Sequence, residues 1–465
     1  MGQRDRGPLG PDQKMTQTKP IDFLYERFAT APDALAFIDR GRTFTYQDLT
    51  GETRNFRDTL GREGVRAGEI VVVLGDYSPE LVCLLLALVQ NGNVLVPVTR
   101  ESVLDTGTIL ALSEAQWIVD FEEGGASFQR TTVQPASAML LALQASGDPG
   151  LILFSSGSTG TPKAILHNMR LVAEKFRRQG PAMVAIAFLM LDHFGGINTV
   201  LAILSGLGTV VTVPDRSVLR ICQAIEAHRV EVLPTTPSFL NALVRSDAVG
   251  RFDLSSLKRI TYGTEVMPQQ TLDRVSRTFS GVLLQQTYGL SELGVLRSKS
   301  RDDGSLWVQV GGDGFETKVV DGILWIRSDY AMVGYLNAPS PFDAAGWFDT
   351  QDVVEVDGDW LRILGRDSDL INVAGQKVYP AEVEQAILEL DDVEDVAVYG
   401  EANPLLGQIV VAKVVASTEE SAAELKLRIR KACATKLAAF KLPTKVILAD
   451  REDLYSFRLK TKRQA

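Results

Sequence analysis

LILFSSGSTGTPKAILH, residues 151–167, reads as a buried strand running into a loop of hydroxyls and glycines that a lysine closes. Glycine lets a backbone turn tightly and bring its N–H groups toward an anion. Ser155, Ser156, Ser158, Thr159 and Thr161 add side-chain donors around Gly157 and Gly160, and Lys163 adds a positive charge. That is the composition of a phosphate-holding loop. It is not the Walker form G-x-x-x-x-G-K-S/T, because Pro162 precedes the lysine and Ala164 follows it. A flexible Gly/Ser linker is the bland alternative. The strand-like run before the loop and the apolar residues after it argue against that.

Bulk properties narrow the function classes. A chain of 465 residues is too long for one ordinary core, so two or more domains are expected. The net charge of −10 argues against a nucleic-acid partner. Cys83, Cys222 and Cys433 lie far apart among apolar neighbours, which fits buried free thiols better than disulfides or a metal site. The apolar runs 81–89 and 183–191 are too short to span a bilayer. The first 20 residues are polar, rich in Gly and Pro and without an apolar signal core, so a disordered tail is expected, with Met15 a candidate natural start. A cytoplasmic enzyme is the expectation.

From residue 21 to residue 286 strand-like and helix-like segments alternate. Residues 70–74 are short and β-branched, 79–90 are apolar and helix-length, and 93–98 are strand-like again. The pattern recurs through 184–188, 196–204, 209–213, 218–227, 230–233, 238–244 and 282–286. Such an order implies parallel sheets covered by helices. From 302 to 362 short strands with Gly and Asp turns, such as 318–320 and 323–326 about Asp321-Gly322, imply an antiparallel, barrel-like section. Beyond Gly365 a helix (380–390), strands (393–399, 409–415), a helix (422–436) and a strand (446–448) make a compact unit. The expected fold is an α/β large N-terminal domain, its parallel sheets covered by helices, plus a small β-barrel-like section. A short hinge joins it to a smaller α+β C-terminal domain.

Five further segments bear on the chemistry. QQTYGLSEL (285–293) places an aromatic, a glycine and an acid at a strand end, and Tyr262-Gly263-Thr264-Glu265 sits at a second strand-to-helix turn. GWFDTQD (346–352) ends on an acid, and GRDSDLINVAGQKVYPAEVE (365–384) opens the C-terminal unit. A basic stretch, SFRLKTKR (456–463), lies near the end, and an ordinary solvated basic tail is its bland reading. In this order the motifs and the loop resemble the adenylate-forming superfamily of acyl- and aryl-CoA synthetases, peptide-synthetase adenylation domains and luciferases. The likeness covers nearly the whole chain.

The resemblance implies an AMP-binding domain over 21–364, a hinge over 365–368 and a mobile C-terminal domain over 369–465. It implies ATP, Mg2+ and coenzyme A as cofactors. The loop Ser155, Ser156, Gly157, Ser158, Thr159, Gly160 and Lys163 would hold the ATP phosphates, with Thr159 catalytic. Gly263, Thr264, Glu265, Thr287, Tyr288, Gly289 and Ser291 would surround the nucleotide, Tyr288 against adenine. Glu292 would hold Mg2+, a chemistry that suits a hard carboxylate oxygen. Asp352 would bind the ribose hydroxyls and Arg366 the ribose or phosphate. Gln351 stands where the family has glycine, Ser368 at a pivot usually Asp or Lys, and Leu459 where glycine is usual. Lys460 would be the catalytic lysine and Arg463 its companion. Ala374 and Gly375 would line a coenzyme A channel. His193, Phe194, Gly263 and Leu293 would line the acid pocket, whose segments hold no obvious charged anchor except Glu265.

Amino-acid-activating relatives carry an aspartate at the position of Phe194 to hold the substrate's ammonium. An aromatic ring cannot pair with that cation, and burying it unpaired is costly. The implied substrate is therefore a fatty or aryl acid without an α-amine. The implied reaction joins it to the ATP α-phosphate, expels pyrophosphate and, after the C-terminal domain turns, passes the acyl group to the coenzyme A thiol. Two alternatives stand beside this one. A separate acyl or peptidyl carrier protein could supply the thiol, or the chain could be a degenerate member that binds nucleotide without turnover.

Overall fold

The computed structural model describes residues 19–102, 104–122, 125–155, 162–302, 304–417 and 420–454. Two seven-stranded sheets form the body of the large domain. One runs in the order Leu283–Gln286, Arg259–Tyr262, Val232–Thr235, Val184–Ile186, Thr209–Val211, Leu35–Asp39 and Arg42–Thr45, parallel up to the last hairpin. The other has a parallel centre, Gly150–Ser155, Val94–Val98, Ile70–Leu74 and Trp117–Glu122, flanked by antiparallel edges.

The helix Pro79–Asn91 shows why this body holds together. Ser78 caps it by accepting from the Leu81 N–H, Pro79 opens it, and Gly92 at φ 87° closes it. Every residue from Leu81 to Gln90 is buried, because the helix is apolar all round and lies inside a core shared by both sheets. The amphipathic helix Tyr46–Glu63 packs on it and starts with a Thr45/Asp48 capping box.

A third, antiparallel seven-stranded sheet holds the strands from Tyr288–Leu290 to Trp360–Arg366 and has its own core. A five-stranded sheet follows, with the helices Pro380–Leu388 and Ala422–Cys433 and a separate core from Ile371 to Val446. The segments expected from periodicity all form, with ends shifted by a few residues. Two features differ. The strands Val393–Asn403 and Gly407–Ala416 run past their polar ends as one long hairpin. Residues 373–376, expected as a loop, are the tip of a hairpin between Ile371–Val373 and Gln376–Val378. Ala374 and Gly375 take φ 49° and 83° there, the left-handed pair of a type I′ turn.

Candidate active site

A cleft of 1760 Å³ opens at the carboxyl ends of the parallel strands and reaches the C-terminal unit. An open parallel sheet leaves space and unpaired backbone groups at that edge. Thr264, Thr287, Tyr288 and Gly289 line one wall, Ser291 and Glu292 continue it, and Arg366 and Ser368 face them. Gly263 lies behind this wall, and only glycine fits. A Cβ there would stand 2.5 Å from the Thr287 hydroxyl oxygen and 2.6 Å from its carbonyl. Thr264 next to it takes φ 72°.

Ser155 and Lys163 face each other across the antiparallel hairpin Gly150–Ser155/Lys163–Asn168. The frame of the phosphate loop is thus two strands, with no helix following the lysine as in a Walker loop. Asn337 braces the frame: its Oδ1 accepts from the Ala164 N–H at 2.9 Å and its Nδ2 donates to the Pro162 carbonyl at 2.7 Å. Ser156, Gly157, Ser158, Thr159, Gly160 and Thr161 lie outside the described residues, as do Lys460 and Arg463.

Lys163 Nζ lies 4.8 Å from the centre of the Tyr335 ring, and the Tyr335 hydroxyl donates to Glu292 Oε1 at 2.7 Å. Burial, then the Glu292 charge, pushes this phenol far above its ordinary pKa. The second Glu292 oxygen has no hydrogen-bond donor among the described residues. One hard oxygen facing a cleft fits a Mg2+ ion held mostly by phosphate and water. Among the described residues no group of three or more His, Cys, Asp or Glu could form a protein cage for it.

The strand Phe348–Asp357 turns Phe348, Thr350, Asp352 and Val354 inward by period-two alternation, and Gln351 outward at φ 59°. Asp352 is 7% exposed. Its Oδ2 accepts from the Tyr288 hydroxyl and its Oδ1 from Arg366 Nε at 3.2 Å. Burial raises the Asp352 pKa against the pull of Arg366 and Tyr288. Burial opposes charge on Arg366, yet Asp352, Tyr288 and Glu292 together raise its pKa. The expected ribose acid therefore sits under the cleft wall, its oxygens engaged by two other expected site residues.

His167 is enclosed, and its Nε2–H donates to the Ser291 carbonyl at 2.7 Å. A carbonyl can only accept, so the proton is on Nε2. Burial brings this pKa down to about 4 and keeps the ring neutral. The ring packs on Phe194 with centroids 4.9 Å apart. Phe194 opens the helix Phe194–Ser205, His193 occupies its N-cap, and both line the cleft.

Other expectations need correction. Glu265 is not on the cleft wall: its carboxylate accepts from the N–H and hydroxyl of Ser238, at 3.2 and 2.6 Å, and ties its turn to the helix Pro237–Arg245. Leu293 is fully buried in the barrel core, behind the pocket rather than in it. Ala374 and Gly375, expected at the cleft only after the C-terminal domain turns, are exposed at their hairpin tip. Outside the segments expected to form the acid pocket, Arg216, Arg259 and Arg297 also line the cavity. Tyr335, Asn337 and His167 carried no recognised spacing. Arg259 did carry one, since alternation in Arg-Ile-Thr-Tyr puts its polar residues on one strand face.

Residues 24–336 match the family model described as AMP-binding enzyme, and 382–455 match the AMP-binding enzyme C-terminal domain. A long-chain-fatty-acid–CoA ligase of Mycobacterium tuberculosis is 26% identical over 92% of this chain and 94% of its own length. A (7a-methyl-1,5-dioxo-octahydro-1H-inden-4-yl)propanoyl:CoA ligase from the same species is 32% identical over 83% of this chain and 86% of its own. The anthranilate CoA ligase AuaEII, solved with anthranoyl-AMP, has the same fold at a TM-score of 0.79 and 21% identity, covering 93% of each chain.

Proposed function

The chain belongs to the AMP-binding enzyme family, and from that premise we propose that it converts a fatty or aryl acid without an α-amine to its acyl-CoA. It is an acid–thiol ligase that uses ATP and coenzyme A. The observation that carries the reading is the single cleft that gathers Tyr288, Glu292, Arg366, His193, Phe194 and the Ser155 end of the phosphate-loop frame.

A carboxylate is a poor electrophile, and joining it to AMP gives it a good leaving group. The protein's task is to hold two anions together and neutralise the charge that develops. Lys163 and the loop from Ser155, including Thr159, take the β- and γ-phosphates, Arg366 the ribose–phosphate region, and Lys460 the carboxylate and α-phosphate. Mg2+ on Glu292, when bound, supplies countercharge to phosphate oxygens. Phe194, 5% exposed against the His167 ring, supports the absence of an α-ammonium. In the second half-reaction the domain beyond residue 364 turns about Ser368 and carries Ala374 and Gly375 to the cleft, opening the way for the thiol. The three cysteines are free and buried, which supports a cytoplasmic location.

The test is ATP–pyrophosphate exchange with fatty, aryl and amino acids, without thiol, in wild type and Lys460→Ala. Exchange with fatty or aryl acids alone, lost in the variant, is the expected result. Adding coenzyme A or a pantetheinylated carrier protein then identifies the acceptor. No exchange with any acid, alongside intact ATP binding, would favour the degenerate nucleotide binder instead.

A further inference from the structure

The cleft continues past the nucleotide wall, between one face of the parallel sheet and the helix Phe194–Ser205. Ala185, Val232, Arg259, Thr261 and Gln285 line it from the strands. Asn198, Thr199, Ala202 and Ile203, spaced to share a helix face, line it from above. Ile260 and Tyr262 point the other way into the core. At about 3.3 Å per residue, Arg259 stands roughly 10 Å along its strand from Tyr262, where the turn to Thr264 begins.

The remote end is rich in donors. Arg259 has its Nε enclosed with no hydrogen-bond partner, and the side chain has no ion-pair partner among the described residues. Arg297, itself exposed, lines the same cleft, and among the described residues its ion pair is with Asp313, 82% exposed, at 3.0 Å. Lys175 stands behind the wall, donating to Asn198 Oδ1 at 2.8 Å and to the Val295 carbonyl. Gln285 spends its amide N–H on the Ser298 carbonyl at 2.8 Å. An enclosed Nε–H without an acceptor is costly, and an apolar tail pressed against this half-buried side chain would make the cost permanent.

We propose that the acid activated here carries a second oxygen acceptor, a carboxylate or a ketone, at the end remote from the reacting carboxylate, and that Arg259 binds it. This rests on the ligase reading and sharpens its substrate class. A site built to hydrogen-bond a substrate group discriminates strongly against the analogue that lacks it.

The experiment measures kcat/KM for pyrophosphate exchange with length-matched acids ending in a methyl, a methyl ketone or a carboxylate, for wild type, Arg259→Leu and Arg259→Lys. In wild type the best acceptor-ended acid should exceed its methyl-ended partner by about tenfold or more. Arg259→Leu should reverse the order, exchange falling with the acceptor-ended acid and rising with the methyl-ended one, while Arg259→Lys keeps part of the preference. Whichever acceptor leads identifies the group as anionic or neutral. A methyl-ended preference at every length in wild type, or an unchanged order in Arg259→Leu, overturns the proposal and leaves the ligase reading intact. No exchange with any acid overturns both.

Discussion

Gln351 stands where the resemblance leads one to expect glycine, and it takes φ 59°. The left-handed region costs an L side chain about 1 kcal/mol. The conformation persists because Thr350 Oγ1 accepts from the Asp352 N–H at 3.0 Å and Asp349 Oδ1 from the Gln351 N–H at 2.8 Å. Gln351→Gly should therefore add at most about 1 kcal/mol to the unfolding free energy, read as a higher denaturant midpoint, and leave pyrophosphate exchange intact. A lower midpoint would mean that the glutamine is not strained. His167 gives a pH prediction. Its pKa falls from 6.5 in the unfolded chain to about 4 in the folded one, because burial penalises the cation. Between those values the unfolded chain binds a proton that the folded chain does not. Stability is thus full above pH 6.5 and declines as pH drops toward 4, by at most about 3 kcal/mol. Urea unfolding at neutral and acid pH should show this decline in wild type and a shallower one in His167→Gln.

Among the elements, the proposed thiol step is tested best at the hairpin 371–378. Its type I′ turn needs positive φ at both central residues, and the Ala374 N–H donates to the Leu406 carbonyl at 2.8 Å. Proline satisfies neither requirement. Ala374→Pro should keep thiol-free pyrophosphate exchange within about twofold and slow thioester formation by about a hundredfold, the penalty typical of a small misplacement at a reacting centre. Equal loss of both half-reactions would remove the hairpin from the thiol step. The phosphate-loop frame shows the opposite economy. Two strands and one asparagine hold it, so its geometry depends on Asn337, far away in sequence.

At the scale of the molecule, side chains of the large domain reach backbone carbonyls of the C-terminal unit. Asn241 Nδ2 donates to the Glu394 carbonyl at 3.0 Å, and Arg245 to the Val393 carbonyl at 2.9 Å. Ser368 lies in the short turn Asp367–Asp369 between them and is exposed. An exposed connector suits a domain that changes position. Ser368→Pro restricts the pivot's φ. It should still allow a single turnover of acyl-AMP formation while steady-state acyl-CoA production drops at least tenfold. Unchanged steady-state turnover would place the pivot elsewhere.

The alternation of strands and helices and the separate C-terminal core were legible in the chain, because periodicity and turn chemistry are local properties. Tyr288, Glu292 and Arg366 became site candidates through the resemblance of their short motifs to those of the adenylate-forming superfamily, and all three line the cleft. What the chain could not reveal was partnership across distant elements. Tyr335 on Glu292, Asp352 closed over by Tyr288 and Arg366, Glu265 turned to Ser238, and Arg259 facing an enclosed space all depend on the register and packing of strands far apart in sequence. A side chain's type is written at its own position, but its environment is made by residues that only the folded molecule brings near, and that environment decides which expected groups reach the cleft.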